Sequence, residues 1–188
     1  MNTTFAGGIP ASNLTRPLAG RDHIQGPIDA PIALLEYGDY ECPACGEAYP
    51  VVKAIQARMG GNLCFAFRNF PLANIHPHSV RAAEAAEAAG AQGRFWEMHD
   101  LLFENQDALE VEDLARYALE LGLDARRLMT EVLAGKHEAR VREDFRRGTR
   151  DGVNGTPTFF INGERYDGAH GLDPLLAALM RPLDLLIQ

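Results

Sequence analysis

Two cysteines three positions apart, in the run Cys42-Pro43-Ala44-Cys45, are the residues of this chain best suited to chemistry. They follow a short apolar run, Ile32 to Tyr37, and precede apolar residues at helical spacing: Ala48, Val51, Val52, Ile55 and Met59. A thiol at the start of a helix meets unpaired backbone N–H groups and the positive end of the helix dipole, both of which favour the thiolate. There a cysteine pKa falls from about 8.5 into the range of roughly 3.5 to 7.5. Cys42 is the thiol so placed, and Pro43 suits the first helical turn because its missing N–H costs no intrahelical bond there. Cys45 shares a helix face with Cys42 and can reach its sulfur. The expected chemistry is thiol–disulfide exchange, in which Cys42 attacks a disulfide and the more buried Cys45 resolves the mixed disulfide. No cofactor is called for, since electrons pass through the disulfide itself.

A zinc half-site is the rival use of the pair, and it needs two further soft ligands. Cys64 is not followed by a second cysteine pair, and His76-Pro77-His78 is a stiff couple, so no metal is expected. A zinc-stabilised binding module stands as the non-enzymatic alternative.

A second motif, Gly155-Thr156-Pro157-Thr158, precedes the strand-like run Thr158 to Ile161. Proline is barred from central strands but allowed at a strand's first residue. A cis bond before Pro157 would turn the chain sharply and leave the Thr156 backbone free to pair, strand-fashion, with a peptide beside the active sulfur. A trans proline opening an edge strand is the other reading; beside the cysteine pair, cis is expected.

The elements that must position these residues can be read in outline. Ile32 to Tyr37 suits a buried strand, Gly46 to Met59 a helix ended by Gly60-Gly61, and Leu63 to Phe70 a second strand. On that strand Leu63, Phe65 and Phe67 face one way, Cys64, Ala66 and Arg68 the other. From about Ser79 to Gly152 the pattern is helical throughout, with Asp124 placed as a helix cap. Asn162-Gly163 marks a two-residue hairpin, and Leu172 to Met180 closes as a helix. The layout is α/β with a helical insertion.

Composition narrows the partners. The chain has 188 residues, with 18 Lys and Arg against 26 Asp and Glu, for a net charge of −8. An acidic chain lacks the broad basic face that neutralises nucleic-acid phosphates, so no nucleic acid is expected. No uncharged apolar run approaches the roughly 18 residues that span a bilayer, so no membrane segment is expected. The first residues show no basic start followed by an apolar stretch, and cytoplasmic placement is the expectation. Without a secretion signal the glycosylation triplets at Asn2, Asn13 and Asn154 read as chance.

Four stretches together resemble the DsbA-like branch of the thioredoxin superfamily. They are Glu36-Tyr37-Gly38-Asp39-Tyr40-Glu41-Cys42-Pro43-Ala44-Cys45, Arg68-Asn69-Phe70-Pro71-Leu72 followed by His76-Pro77-His78, Phe95-Trp96-Glu97-Met98-His99-Asp100, and Val153-Asn154-Gly155-Thr156-Pro157-Thr158-Phe159. The resemblance spans about residues 22 to 181. It implies an α/β thioredoxin fold with an inserted all-helical domain, disulfide oxidoreductase activity, and a cis proline facing the cysteines. The expected division is a flexible arm over 1–22, a thioredoxin-like domain over 23–74 and 153–188, and a helical insertion over 75–152. Thr156, Pro157, Pro43 and Ala44 are then expected to contact substrate, with protein thiols and disulfides or small-molecule thiols as partners. The sequence names no recycling partner. Pro43-Ala44 departs from the strongly oxidising members in having no His to donate to the thiolate, so a less oxidising couple is expected. A glutathione-dependent isomerase or transferase of the kappa type is the enzymatic alternative, but those usually lack the second cysteine.

The resemblance also places a buried acid at Glu36, six residues before Cys42. A carboxyl on a buried strand has a raised pKa and can take the Cys45 proton through water. Other residues carry blander expectations. Cys64 reads as a small buried hydrophobe. His76 and His78 are expected to cap the next helix, and Phe95, Trp96, Met98, Leu101 and Leu102 to form core. Arg140, Arg142, Arg146, Arg147 and Arg150 read as a solvated helix face, and Asp39 and Glu41 as exposed and screened.

Overall fold

The computed structural model describes residue 18 and residues 20–186, the side chains of 183–186 excepted. Most of the arm expected over 1–22, with Asn2 and Asn13, lies outside the described residues. Among the described residues, strands β1 (His23–Gln25), β2 (Ile32–Gly38), β3 (Leu63–Asn69), β4 (Thr158–Ile161) and β5 (Glu164–Tyr166) form one sheet in the order β1-β3-β2-β4-β5. Helix α1 (Pro43–Met59) connects β2 to β3, which run parallel with Ile32 opposite Leu63 and Gly38 opposite Asn69. β4 joins the other side of β2 antiparallel, and β5 returns from it. The return is the Asn162-Gly163 turn, with φ of 49° and 89° at its two residues. Two successive left-handed residues make the hairpin turn whose twist suits the flanking strands. β1, too short to announce itself in the sequence, pairs antiparallel with the outer side of β3.

Helices α2 (Ser79–Gly90), α3 (Phe95–Glu104), α4 (Val111–Glu120), α5 (Ala125–Leu133) and α6 (Glu138–Arg150) follow β3. The alanines of α2 let α3, α4, α5 and α6 close around it. α7 (Leu172–Leu186) packs against α1 and β2. One continuous core joins Leu34, Phe65, Phe67 and Phe159 of the sheet to Ile55 of α1 and to Met98, Leu102 and Leu114 of the helical block. A smaller core on the opposite sheet face holds Leu35, Tyr37, Ala66, Phe70, Val153 and Phe160. Adjacent strand residues point to opposite faces, and here both faces are covered. Phe95, Met98 and Leu102 are core, with Trp96 and Leu101 partly buried against it.

That double covering corrects two expectations. Every residue of β3 is buried, and Arg68 is fully so. Its Nε and Nη2 donate to the two carboxylate oxygens of Asp22, each at 2.9 Å, and its Nη1 donates to the Tyr37 hydroxyl at 2.9 Å. The hydroxyl donates in turn to Asp151 at 2.7 Å. Asp22, placed by sequence at the end of a loose arm, is therefore a buried anchor. Arg147, expected in solvent, is buried 3.4 Å from the same carboxylate, and buried Asp144 accepts from Arg140 at 2.7 Å. The arginine-rich helix α6 packs on β3, so its inner side meets a sheet that carries its own charge.

Candidate active site

Cys42 is the N-cap of α1, with φ −76° and ψ 121°, and Pro43 opens the helix. The Cys42 carbonyl accepts the first helical N–H groups, from Cys45 and Gly46, at 3.1 Å each. Both cysteines are free thiols; Cys42 is 6% exposed and Cys45 fully buried. Pro43 and Ala44 are exposed between them. The Thr156-Pro157 peptide bond is cis, and the Cys42 thiol donates to the Thr156 carbonyl oxygen at 3.3 Å.

The two thiols are pushed apart in acidity. The hydrogen bond from the Cys45 thiol is the largest influence drawing the Cys42 pKa down to about 5, aided by the Thr156 side chain and by the backbone N–H groups of Cys45 and Ala44, against the opposing effect of burial. The neighbouring thiol thus contributes more than the helix-end amides that the sequence pointed to. Burial drives Cys45 well above the usual thiol range, and the bond to Cys42 and the charges of Glu36 and Cys42 add to this. Such divergence within a pair separates attacking from resolving roles.

Glu36 is buried on β2, and its Oε1 has no hydrogen-bond partner. Burial first, and the charge of Cys42 second, raise its pKa to about 8. A Cβ at Gly38 would overlap the Phe67 ring and come within 3.1 Å of Glu36 Oε1, so glycine is what fits there.

The acidic residues before the pair are not both in solvent. Asp39 is buried; it accepts from the N–H of Glu41 at 2.9 Å and of Leu72 at 2.8 Å, and its Oδ2 lies 2.8 Å from His76 Nδ1. Glu41 accepts from the His78 N–H at 2.6 Å and contacts His78 Nδ1 at 2.7 Å. Neither histidine side chain caps α2, because both rings are engaged with these carboxylates. The His76-Pro77-His78 loop therefore clamps the approach to Cys42.

A residue missed in the sequence completes the turn. Gln106, in the loop after α3, donates its side-chain N–H groups to the carbonyls of Tyr40 and Cys42 at 2.9 Å each. It carries no sequence signal, since a lone glutamine in a loop has no pattern. Cys64 is buried opposite Ala33, toward the far end of the central strands from Gly38 and Cys42, and is not brought to the pair. Two depressions flank the site. One, of about 410 Å³, is lined by Glu41, Pro43, His78 and Gln106. The other, of about 280 Å³, is lined by Thr156, Pro157, Tyr166 and His170. Among the described residues no group of three or more His, Cys, Asp or Glu side chains is arranged to hold a metal ion.

The architecture has many counterparts among known proteins. A family model described as thioredoxin matches residues 18–181. Curated relatives include the Na(+)/H(+) antiporter NhaA 1 of Salinispora arenicola, 45% identical over 159 residues that make up 85% of this chain and 24% of that protein. The Na(+)/H(+) antiporter NhaA 1 of Mycobacterium sp. (strain KMS) is 45% identical over 88% of this chain and 28% of its own length. The chain spans about a quarter of the length of the curated relatives it matches. Among solved structures, a thioredoxin-like oxidoreductase from Silicibacter pomeroyi superposes with a TM-score of 0.77 at 25% identity, covering 88% of this chain and 94% of that one. Wolbachia pipientis alpha-DsbA1 gives 0.78 at 21%, covering 95% and 100%, and Bacillus subtilis BdbD gives 0.76 at 24%, covering 86% and 92%. With helices α2 to α6 set between the two halves of its sheet, the chain belongs to the thioredoxin family and has the fold of the DsbA-like proteins.

Proposed function

We propose that the protein is a thiol–disulfide oxidoreductase that exchanges disulfides with protein substrates through Cys42 and Cys45. The observation that carries this reading is the opposed acidity of two adjacent thiols, one of them against Thr156. The Cys42 thiolate attacks one sulfur of a substrate disulfide, forming a Cys42–substrate disulfide and releasing the other sulfur as a thiolate. The ionised fraction of Glu36 then takes the Cys45 proton through water, and the Cys45 sulfur attacks Cys42 Sγ. The Cys42–Cys45 disulfide forms and the second substrate thiolate leaves. The substrate disulfide has been reduced by two electrons and the protein oxidised by two. Run in reverse, the same steps oxidise a dithiol substrate.

Direction follows from the reduction potential and the compartment. No side chain between the cysteines donates to the thiolate, which favours a less oxidising couple. In a reducing cytoplasm such a couple rests as the dithiol and acts as a reductase or isomerase. The curated relatives are named as antiporters, and no helix among the described residues is long and apolar enough to cross a membrane. Thiol–disulfide exchange is proposed for this chain, which spans about a quarter of the length of those relatives.

Insulin-disulfide reduction by the purified protein tests the proposal. Wild type is expected to turn over with a small dithiol as donor and Cys42→Ser to be inactive. Full activity in Cys42→Ser would overturn the assignment.

A further inference from the structure

Gln106 stands outside the thioredoxin-like half of the chain, yet its amide nitrogen is bonded to the two carbonyls that frame the catalytic turn, Tyr40 and Cys42, at 2.9 Å each. Both partners accept only, so the amide must present its nitrogen to them. Residue 46 makes room for it: a Cβ on Gly46 would overlap Gln106 Oε1. The Cys42 carbonyl is also the acceptor for the first two N–H groups of α1, from Cys45 and Gly46.

We infer that Gln106 is a positioning residue that holds the Cys42 backbone, and thereby its sulfur, in register with the N–H groups opening α1. The inference rests on the exchange reading for its consequence and on geometry for its content. Two effects run in the same direction. The donated N–H groups offset the negative end of the Cys42 carbonyl beside the sulfur. They also fix the φ and ψ that aim Sγ at the Ala44 and Cys45 amides. Loss of either makes the thiolate less favourable. Because Gln106 follows α3, the helical block sets the reactivity of a sulfur that belongs to the other half of the fold.

The test uses the full reduced chain and follows iodoacetamide alkylation of Cys42 against pH, with the labelled site located by mass spectrometry. Gln106→Met keeps the shape and removes the donors. Gly46→Ala displaces the flexible end of Gln106 without altering it. Each is expected to slow Cys42 alkylation at pH 4.5 by roughly two- to tenfold, the range for loss of one ordinary hydrogen bond, and to match wild type at pH 9. The double variant is expected to be no slower than either single, since both remove one interaction. A wild-type profile for Gln106→Met, or additive losses in the double variant, would overturn the inference. A wild-type Cys42 that itself titrates as an ordinary thiol would instead sink the exchange reading.

Discussion

The sulfur of Cys42 lies 3.3 Å from the carbonyl oxygen of Thr156, 114 positions further along the chain. A carbonyl accepts and never donates, so this contact holds the protonated sulfur only. On the proposed exchange reading, the oxygen freed when the thiolate forms is open to an N–H of an incoming peptide strand. Two sites distant in sequence are thus coupled by one proton.

The division of labour between the cysteines predicts distinct failures. Cys42→Ser is expected to abolish disulfide reduction. Cys45→Ser retains the attacking sulfur but cannot resolve, so mixed disulfides accumulate and appear as adducts on non-reducing gels. Undiminished multiple turnover by Cys45→Ser would remove its resolving role.

Stability of the reduced protein is expected to carry a thiolate signature. With Cys42 drawn down to about 5 and an unfolded thiol near 8.5, only the folded chain holds the thiolate between those values. This contribution is fully present above about pH 8.5 and is lost as pH falls through about 5. Cys42→Ser removes it. The gap in thermal midpoint between reduced wild type and the variant should widen from pH 4.5 to pH 8.5, and a constant gap would contradict the lowered pKa.

Glu36 acts with the opposite sign. Its carboxyl is raised to about 8 in the fold but titrates near 4.3 when unfolded. The stability it gives is present below about pH 4.3 and is lost as pH rises through about 8. Glu36→Gln avoids that loss, so its thermal midpoint should gain on wild type between pH 4.5 and pH 8.5. The same variant should resolve mixed disulfides more slowly, measured by stopped-flow release of substrate thiol.

The Asp22–Arg68 pair makes a prediction away from the site. Asp22→Ala strips the bidentate carboxylate from a fully buried guanidinium. Removing one partner of a buried pair costs about 3–5 kcal/mol. The urea midpoint should fall accordingly, while Cys42 alkylation in the folded protein stays as in wild type. A fall of less than about 1 kcal/mol, small beside the about 3–5 kcal/mol that an orphaned buried charge costs, would show that the network contributes little.

Cys64 is expected to be silent in catalysis. Cys64→Ser buries a hydroxyl in place of a thiol, at a cost of about 1–3 kcal/mol if unpaired. Insulin reduction at a temperature where the variant is folded should match wild type, and a large loss would bring Cys64 into the mechanism.

What could be read in the sequence was local. Cys42 to Cys45, the Gly155-Thr156-Pro157 run, the Asp124 cap and the Asn162-Gly163 turn announce themselves because their geometry is made by neighbours within a few residues. What escaped was made across the fold. Arg147 read as a surface charge, and Arg68 gave no sign of an ion pair, because their shared partner, Asp22, lies 125 and 46 positions away. Asp39 read as exposed because the groups that bury it come from residues 72 and 76. Gln106 was invisible for the same reason: its partners are backbone carbonyls, which no residue type encodes.

The shared apolar interior of sheet and helical block limits how this protein can be redesigned. Tyr40, Phe67 and Phe103 pack tilted and edge-on in one aromatic group drawn from the sheet side and the helical block. A chimaera that exchanges α2 to α6 for those of a relative must therefore graft the matching surface of β3 and the turn before Cys42 as well. The sheet and the helical block are not separate modules here.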